Sequence, residues 1–196
     1  TMPVPAISET DQIHHWKMDE TSGKRKDSEG TNHLTDVGTV TSVEGQVGNA
    51  AEFISADSTT LTGGPVLLAN KDITIIMWYR FNSLAGNNED LLMGGHATYG
   101  TSIFLRSVNL PATPLTSVTF GLRWSDGSGP GFGYDGDFSG SVWEQDKWHM
   151  IIGTWNDTTK EFHVGKDGVM YGTSISVPGE TLEDATDLTL GNTFDG

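Results

Sequence analysis

Apolar and polar residues alternate over short stretches of this chain, a pattern that is typical of β-strands. Two longer stretches, 72–81 (DITIIMWYRF) and 147–155 (KWHMIIGTW), carry apolar residues on both sides of an extended chain. A strand with one side in water would alternate more strictly, so these two are predicted to be interior strands that are covered on both faces. Trp78, Trp148 and Trp155 are accordingly predicted to be core residues. The remaining predicted strands are 13–18, 50–54, 101–106, 117–124, 161–165 and 187–191.

Turn-forming residues separate these predicted strands. The chain contains 25 glycines and 7 prolines, and its apolar runs are rich in β-branched and aromatic residues. Only 180–187 (ETLEDATD) resembles a helical turn, and it can equally be a loop, while the glycine-rich stretch 125–140 is predicted to be a long exposed loop. The sequence therefore predicts an all-β fold, a sandwich of two antiparallel sheets in which each sheet covers one face of the other.

Composition narrows the classes of partner and site. A chain of 196 residues fits one large domain. It has no cysteine, which excludes disulfides, thiolate zinc sites and a cysteine nucleophile. With 11 basic and 26 acidic residues the formal charge is −15, and such a surface repels phosphate backbones and anionic lipid headgroups. We therefore expect neither a nucleic acid nor a membrane partner, whereas divalent cations suit the acidic surface.

The ends of the folded region also follow from the sequence. No apolar run approaches the roughly 20 residues that are needed to cross a bilayer, and the first residues lack the basic and apolar regions of a signal peptide. Residues 1–12 (TMPVPAISETDQ) are predicted to be a linker, and 13–196 to be the folded domain.

Seven motifs follow one another along the chain: IHHWKMDETSG (13–23), DSEGTNH (27–33), GQVGNAAEF (45–53), DITIIMWYRF (72–81), WHMIIGTWND (148–157), VGKDGV (164–169) and LGN (190–192). This succession resembles that of LamG-like jelly-roll domains, which belong to the concanavalin A-like lectin and glucanase superfamily. The residues themselves predict tight turns at Gly45 and Gly48, at 156–162 (NDTTKEF) and at 166–168 (KDG), and a core position for Phe53.

The resemblance also implies a final strand beyond the segment that matches 192–196 (NTFDG). LamG-like domains usually continue there with a strand that pairs near the first one. The domain is therefore expected to lack its final strand or to end just before it, as part of a longer protein. An open sheet edge of this kind invites pairing with a neighbouring chain or domain.

Glucanases share this fold, so a catalytic site has to be considered. Retaining glucanases use a strand motif of the form Glu-x-Asp-x-Glu, which directs acids into a cleft. The nearest match is 144–148 (EQDKW), in which Trp148 stands in place of the last acid. Glu144 and Asp146 are therefore predicted to be polar residues that lead into the buried strand 147–155. The chain is predicted not to be an enzyme. His149 is predicted to form a hydrogen bond within or beside the core.

Calcium is the cofactor that the resemblance implies. Many relatives bind it between the region matching DSEG and the end of the chain, which corresponds here to Asp27 and Asp195, with Asn32 as a further ligand. A simpler alternative is that Asp27 only turns the chain. A second candidate is 135–146, where Asp135 and Asp137 begin the spacing of a calcium loop that ends at Asp146, although no helices are predicted beside it.

Aromatic residues near the predicted loop 125–140 are candidates for binding a ligand. Sugars stack on aromatic rings while carboxylates and amides hold their hydroxyls, and Trp124, Tyr134, Asp135 and Trp143 are the predicted set. Core packing is the alternative for the two tryptophans. The sequence thus predicts a binding module of an extracellular, cell-surface or virion-surface protein, with a glycan or protein ligand. The alternatives are a structural module that a neighbouring chain completes and, last, a glycan hydrolase.

Overall fold

The structure is a computed structural model that describes residues 12–54, 59–82, 89–96, 100–108, 117–122, 134–137, 144–176 and 182–193. None of these residues lies in a helix, so this part of the chain contains no helix that could span a bilayer. Its strands are β1 (Thr35–Val37), β2 (Thr41–Glu44), β3 (Asn49–Glu52), β4 (Thr60–Gly63), β5 (Ile73–Arg80), β6 (Glu89–His96), β7 (Gly100–Val108), β8 (Ser117–Leu122), β9 (Tyr134–Asp137), β10 (Trp148–Asn156), β11 (Glu161–Lys166), β12 (Val169–Ser176) and β13 (Leu188–Thr193).

The strands form a jelly-roll sandwich of antiparallel sheets. One sheet has seven strands in the order β1-β4-β13-β6-β7-β8-β9, and the other has four in the order β12-β11-β10-β5. A two-stranded ribbon, β2-β3, stands beside them. The all-β prediction is confirmed, and strands that are distant in sequence, such as β4 and β13, lie side by side.

One apolar core lies between the two sheets. Leu61, Leu188 and Leu190 come from the seven-stranded sheet, and Ile151, Trp155 and Val164 come from the four-stranded sheet. Ile151 and Trp155 are 0% and 1% exposed. The partly buried residues packed against this core include Trp16, Met18, Phe53, Ile73, Ile75, Met77 and Tyr79.

The hairpin turns that were predicted from glycine and Asp-Gly positions are confirmed between β2 and β3 and between β11 and β12. Gly45 donates its amide to the carbonyl of Gly48 at the β2-β3 turn. The β11-β12 turn is made by Asp167 and Gly168, whose φ angles are +50° and +81°. Two-residue hairpin turns of type I′ need positive φ at both positions, which favours this Asp-Gly pair.

The prediction that β10 is an interior strand is confirmed for its place in the sheet. It lies between β5 and β11. Its inner side is buried throughout, at His149, Ile151, Gly153 and Trp155. On the outer side Trp148 and Met150 are half-buried, so Trp148 is not the core residue that the sequence predicted.

The prediction that β5 is an interior strand covered on both faces is wrong. It is the last strand in the order of its sheet, with β10 as its neighbour in the described part of the chain. Ile76 and Trp78 are 41% and 47% exposed, whereas the alternate residues pack on the core. Trp78 is therefore a surface residue. An apolar run shows that both sides of a strand tolerate burial, but it does not show that a second layer covers them.

Two smaller expectations are also corrected. Residues 13–18 form no strand, and their ladder contact is a single bridge between Trp16 and Asp27. The predicted loop 125–140 contains β9. For 180–187 the sequence left a helical turn or a loop open, and the described residues 182–187 agree with the loop, in which Ala185 forms a β-bridge with Val66.

Candidate functional site

The outer face of the four-stranded sheet presents an exposed aromatic surface. Residues directly opposite each other in antiparallel strands share a face, and the register places Trp78 opposite Met150, and Arg80 opposite Trp148. Ile76 precedes Trp78 on the same side of β5. We refer to these five side chains as the outer-face patch.

The guanidinium of Arg80 lies over the indole of Trp148. The distance from Cζ to the ring centroid is 5.0 Å, within the range of a cation–π contact. Both side chains are half-buried, and their strands hold them directly opposite each other. The contact fixes the guanidinium at one end of the patch, next to Trp78 on the same strand.

Next to Ile76 the outer face is covered at its centre. Ile152 lies opposite both Ile76 and Gly165, and its exposed fraction is 0%. A Cβ atom at Gly165 would lie 2.6 Å from the Sδ atom of Met170, so that side chain covers the glycine. The patch therefore borders a covered part of the sheet face at Ile152 and Gly165, and its floor is rigid because it consists of paired strands.

His149 is on the opposite side of β10 and forms the hydrogen bond that the sequence predicted. Its Nδ1 atom is 2.7 Å from Oδ2 of Asp167, and its exposed fraction is 2%. Burial raises the pKa of Asp167, but hydrogen bonds from the His149 ring and the Met150 amide outweigh it and leave that pKa below its ordinary value. The ionised carboxylate thus ties the β11-β12 turn to β10.

The two acids that precede β10, Glu144 and Asp146, are both exposed. Glu144 forms an ion pair with Lys147, and this hydrogen bond lowers the pKa of Glu144. A general acid in glycoside hydrolysis needs a raised pKa. The carboxylate of Asp146 accepts a hydrogen bond from the side chain of Gln145 at 3.4 Å. The ion pair with Lys147 thus opposes a role of Glu144 as a general acid.

Asp27 is a buried carboxylate that collects hydrogen bonds from three segments. Oδ1 accepts from the amides of His15 and Glu29 at 3.0 and 3.2 Å. Oδ2 accepts from the ring of His14 at 2.7 Å and from the amide of Asn32 at 3.3 Å. Burial raises the pKa of Asp27, but the bonds from His15, His14 and Glu29 outweigh it, so this pKa is lowered and the side chain is ionised at neutral pH.

The predicted calcium ligands do not fit a cation in this arrangement. A carboxylate has about four lone-pair positions, and N–H donors occupy four at Asp27. The side-chain oxygen of Asn32 accepts the Gly64 amide at 2.6 Å. Asp195 lies outside the described residues, among which no group of three or more His, Asp or Glu side chains could hold a metal.

The other predicted site residues are only partly placed. Trp124 and Trp143 lie outside the described residues. Tyr134 and Asp135 are in β9, where the register pairs them with Phe120 and Thr119. Since Asp135 and Asp137 lie in a strand, the start of the second calcium loop is extended chain.

Trp78 and Arg80 are the functional candidates that sequence reasoning missed. Arg80 was a usable signal, because a charged residue at the end of an apolar strand marks a side that reaches water. The pairing with Trp148 has no such signal, since the two residues are 68 positions apart in the sequence.

Solved structures with the same fold are similar to this chain at low sequence identity. Domain 4 of AbnA, an extracellular arabinanase from Geobacillus stearothermophilus in complex with arabinotriose, has a TM-score of 0.52 and 13% identity, with 85% of each chain covered. A Trypanosoma rangeli sialidase in complex with sialic acid gives a TM-score of 0.66 at 14% identity, covering 100% of this chain and 31% of the sialidase. The botulinum neurotoxin serotype D binding domain gives 0.63 at 10% identity, covering 94% of this chain and 44% of that domain.

Sequence comparison identifies the family more directly. No curated protein sequence matches the chain. The Laminin_G_3 family model, of the concanavalin A-like lectin/glucanases superfamily, matches residues 54–196. This segment holds the four-stranded sheet and most of the seven-stranded sheet. The chain belongs to the Laminin_G_3 family of the concanavalin A-like lectin/glucanases superfamily.

Proposed function

We propose that this chain is a non-catalytic carbohydrate-binding module whose ligand lies on the outer-face patch. The observation that carries the proposal is the exposure of Trp78, which is 47% open to solvent on the outer face of β5, the last strand in the order of the four-stranded sheet. A tryptophan usually buries most of its surface. An exposed indole on rigid paired strands is a flat apolar platform, suited to the C–H face of a sugar ring.

The surroundings of Trp78 support a sugar better than an extended apolar ligand. Ile76 and Met150 extend the platform on two sides, whereas Arg80 and the exposed Thr74 supply hydrogen-bonding groups along the same strand. A saccharide needs this combination, because it presents apolar C–H faces and polar hydroxyl edges together. The patch is also small, which fits one or a few sugar units.

The structural neighbours give coarse support to the same class of ligand. The arabinanase domain was solved with arabinotriose, and the sialidase with sialic acid. A related neurotoxin, type C, depends for cell entry on two ganglioside molecules. By the same reasoning, and because the arabinanase is an extracellular enzyme, we place this module outside the cell.

The test is binding to an array of glycans with and without the indole of Trp78. We expect Trp78→Ala to lower the affinity for a bound glycan by at least tenfold while the far-ultraviolet circular dichroism stays unchanged, because the side chain is exposed. Val47→Ala is the matched control, since Val47 is 81% exposed at the β2-β3 turn. An unchanged glycan affinity in Trp78→Ala would contradict the proposal. The alternative binding site would then be the set predicted from the sequence: Trp124, Tyr134, Asp135 and Trp143.

An assembly module is the second candidate, and the position of β5 favours it. This strand ends the order of the four-stranded sheet, and exposed strand edges pair readily with other chains. A neighbour would add a strand beside β5 and cover Ile76. Sedimentation over a range of concentrations tests this reading: reversible self-association that Ile76→Lys abolishes would support it, and a monomer at all concentrations would count against pairing between copies.

A further inference from the structure

We infer that the saccharide bound on the outer-face patch carries a carboxylate, and that Arg80 is the residue that selects it. The inference rests on the proposed function, because it names the chemical class of ligand for the same site. It goes further in one respect: a platform of Trp78 and Ile76 alone would not distinguish an acidic sugar from a neutral one.

Arg80 differs from the other basic side chains of the described residues. Three others are not fully exposed, and each lies within 4.0 Å of a carboxylate: Arg25 at Asp36, Lys160 at Asp157, and Lys166 at Asp167. The side chain of Arg80 forms no ion pair and no hydrogen bond in the part of the chain that the structure describes, and its contact is the cation–π contact with Trp148. In a chain with 26 acidic and 11 basic residues, acids for pairing are plentiful, so the lack of one here is informative.

The cation–π contact leaves the hydrogen-bonding capacity of Arg80 available. A guanidinium has five N–H donors, and none of them donates to an acceptor within the described part of the chain. The contact with Trp148 also restricts the long side chain before any ligand arrives, so less conformational entropy is lost on binding. Arg80 is thus pre-organised to receive a planar anion such as a carboxylate through two parallel hydrogen bonds.

The spacing along β5 matches one sugar unit. Trp78 and Arg80 are two residues apart on the same side of the strand, which separates them by about 7 Å. A pyranose ring stacked on the indole would therefore place a ring substituent beside the guanidinium. A carboxylate on that ring completes the pairing that Arg80 lacks within the described part of the protein.

The net charge of the protein adds selectivity to this contact. At −15 the molecule as a whole disfavours anionic ligands, but exposed charges beyond about 10 Å are largely screened at 0.1 M salt. An acidic ligand is then retained only where its carboxylate meets a fixed cation at contact distance. Arg80 meets that condition, and it would discriminate by the position of the carboxylate as well as by charge.

Two matched pairs of ligands test the inference by calorimetry at 0.1 M salt. Sialyllactose is compared with lactose, and trigalacturonate with its methyl ester, so that each acidic sugar has a neutral counterpart and the two sources of carboxylate are separated. We expect the acidic member of one pair to bind at least tenfold more tightly, as hydrogen bonds to a charged group allow. Arg80→Gln should bring that ratio close to one, because the acidic member loses its hydrogen bonds to a charged group and therefore loses more affinity than the neutral member.

Two further variants separate a specific contact from a general charge effect. Arg80→Lys keeps the charge and loses the planar fork, so we expect it to recover part of the preference. Lys24→Gln removes one positive charge from an exposed side chain before β1 and should keep the full preference. Thermal melting of each variant checks that it is folded.

The outcomes distinguish this inference from the proposed function. Equal affinities within both pairs, or a preference that survives in Arg80→Gln, would overturn the role of Arg80 but leave a neutral carbohydrate module standing. Failure of every ligand and of the glycan array would overturn both. A preference in one pair that disappears in Arg80→Gln would support both and identify the class of acidic sugar.

Discussion

Asp27 shows how one side chain can organise a segment that forms no regular strand. Residues 12–34 have little ladder pairing. Instead, the carboxylate of Asp27 accepts hydrogen bonds from two backbone amides of its own turn and from the amide of His15, and these bonds hold the segment together. Asn32 then connects this segment to Gly64 through three side-chain hydrogen bonds to Gly64 and Pro65. The sequence marked both residues as important but attributed their importance to calcium.

We expect Asp27→Asn to lower the free energy of unfolding by ~2 kcal/mol at pH 7, because an amide cannot accept from four donors. The pKa of Asp27 is lowered in the folded protein, so its stabilisation is complete above the ordinary value of 3.8 and is lost as the pH falls through the folded value. The difference between wild type and Asp27→Asn in urea unfolding should therefore shrink below about pH 4.

The control for this prediction is Asp146→Asn, which changes an exposed carboxylate. We expect it to unfold with the same midpoint as the wild type at pH 7. A destabilisation by Asp27→Asn that persisted unchanged at pH 2 would show that the ionised carboxylate is not the cause.

At the scale of the elements, close approaches between strands depend on glycine. Gly191 in β13 has a φ of +77°, and a Cβ atom there would overlap the ring of Phe53, which follows β3. Gly168 in the β11-β12 turn has a similar φ of +81° but has open space around it. An alanine would therefore strain the backbone at both positions, but only at Gly191 would its Cβ atom also collide with Phe53.

This difference gives a matched pair of substitutions. We expect Gly168→Ala to cost about 1 kcal/mol, because an L-residue at positive φ is strained. Gly191→Ala should cost about 3 kcal/mol, because the collision with Phe53 adds the cost of overpacking a core. Urea unfolding of both variants measures the difference, and equal losses would show that Phe53 moves aside freely.

The length of a strand, its turn residues and the sequence distance to its partners decide which elements the sequence could predict. β10, β11 and the β11-β12 turn were predictable because local features determine them: apolar runs of strand length and an Asp-Gly pair. β1, β2 and β4 were missed because they have only 3 or 4 residues each, and β6 and β12 were missed as well, although they have 8 residues each. β1 and β4 also owe their extended form to neighbours that are remote in sequence. β4, for example, pairs with β13 through Leu61 and Leu190.

At the scale of the whole molecule, the acidic surface makes calcium binding, and its effect on stability, a point to test. The resemblance predicts calcium at Asp27, but N–H groups occupy the acceptor positions of this carboxylate, so we do not expect it to bind the ion in this arrangement. A ligand that binds only the native state raises the melting temperature, because it stabilises that state by RT ln(1 + L/Kd), where L is the free ligand concentration.

We therefore expect the same melting temperature, within about 1 °C, in EDTA and in 5 mM calcium, since an ion that is not bound specifically contributes little. Differential scanning fluorimetry measures this directly, with magnesium as the control for a general effect of divalent charge. A rise in calcium alone would show that the site is formed by residues outside the described part, such as Asp195.

The sequence by itself determined the all-β class, the central place of β10, the turns at Gly45 and Asp167, and the burial of Trp155. Periodicity, glycine and proline act over a few residues, so one chain is enough to recognise them. Only the tertiary structure decided that β5 lies at the end of its sheet, that Trp78 is exposed, and that Arg80 stacks on Trp148. Those features depend on which strands pair and which faces stay uncovered, and local sequence carries no record of either.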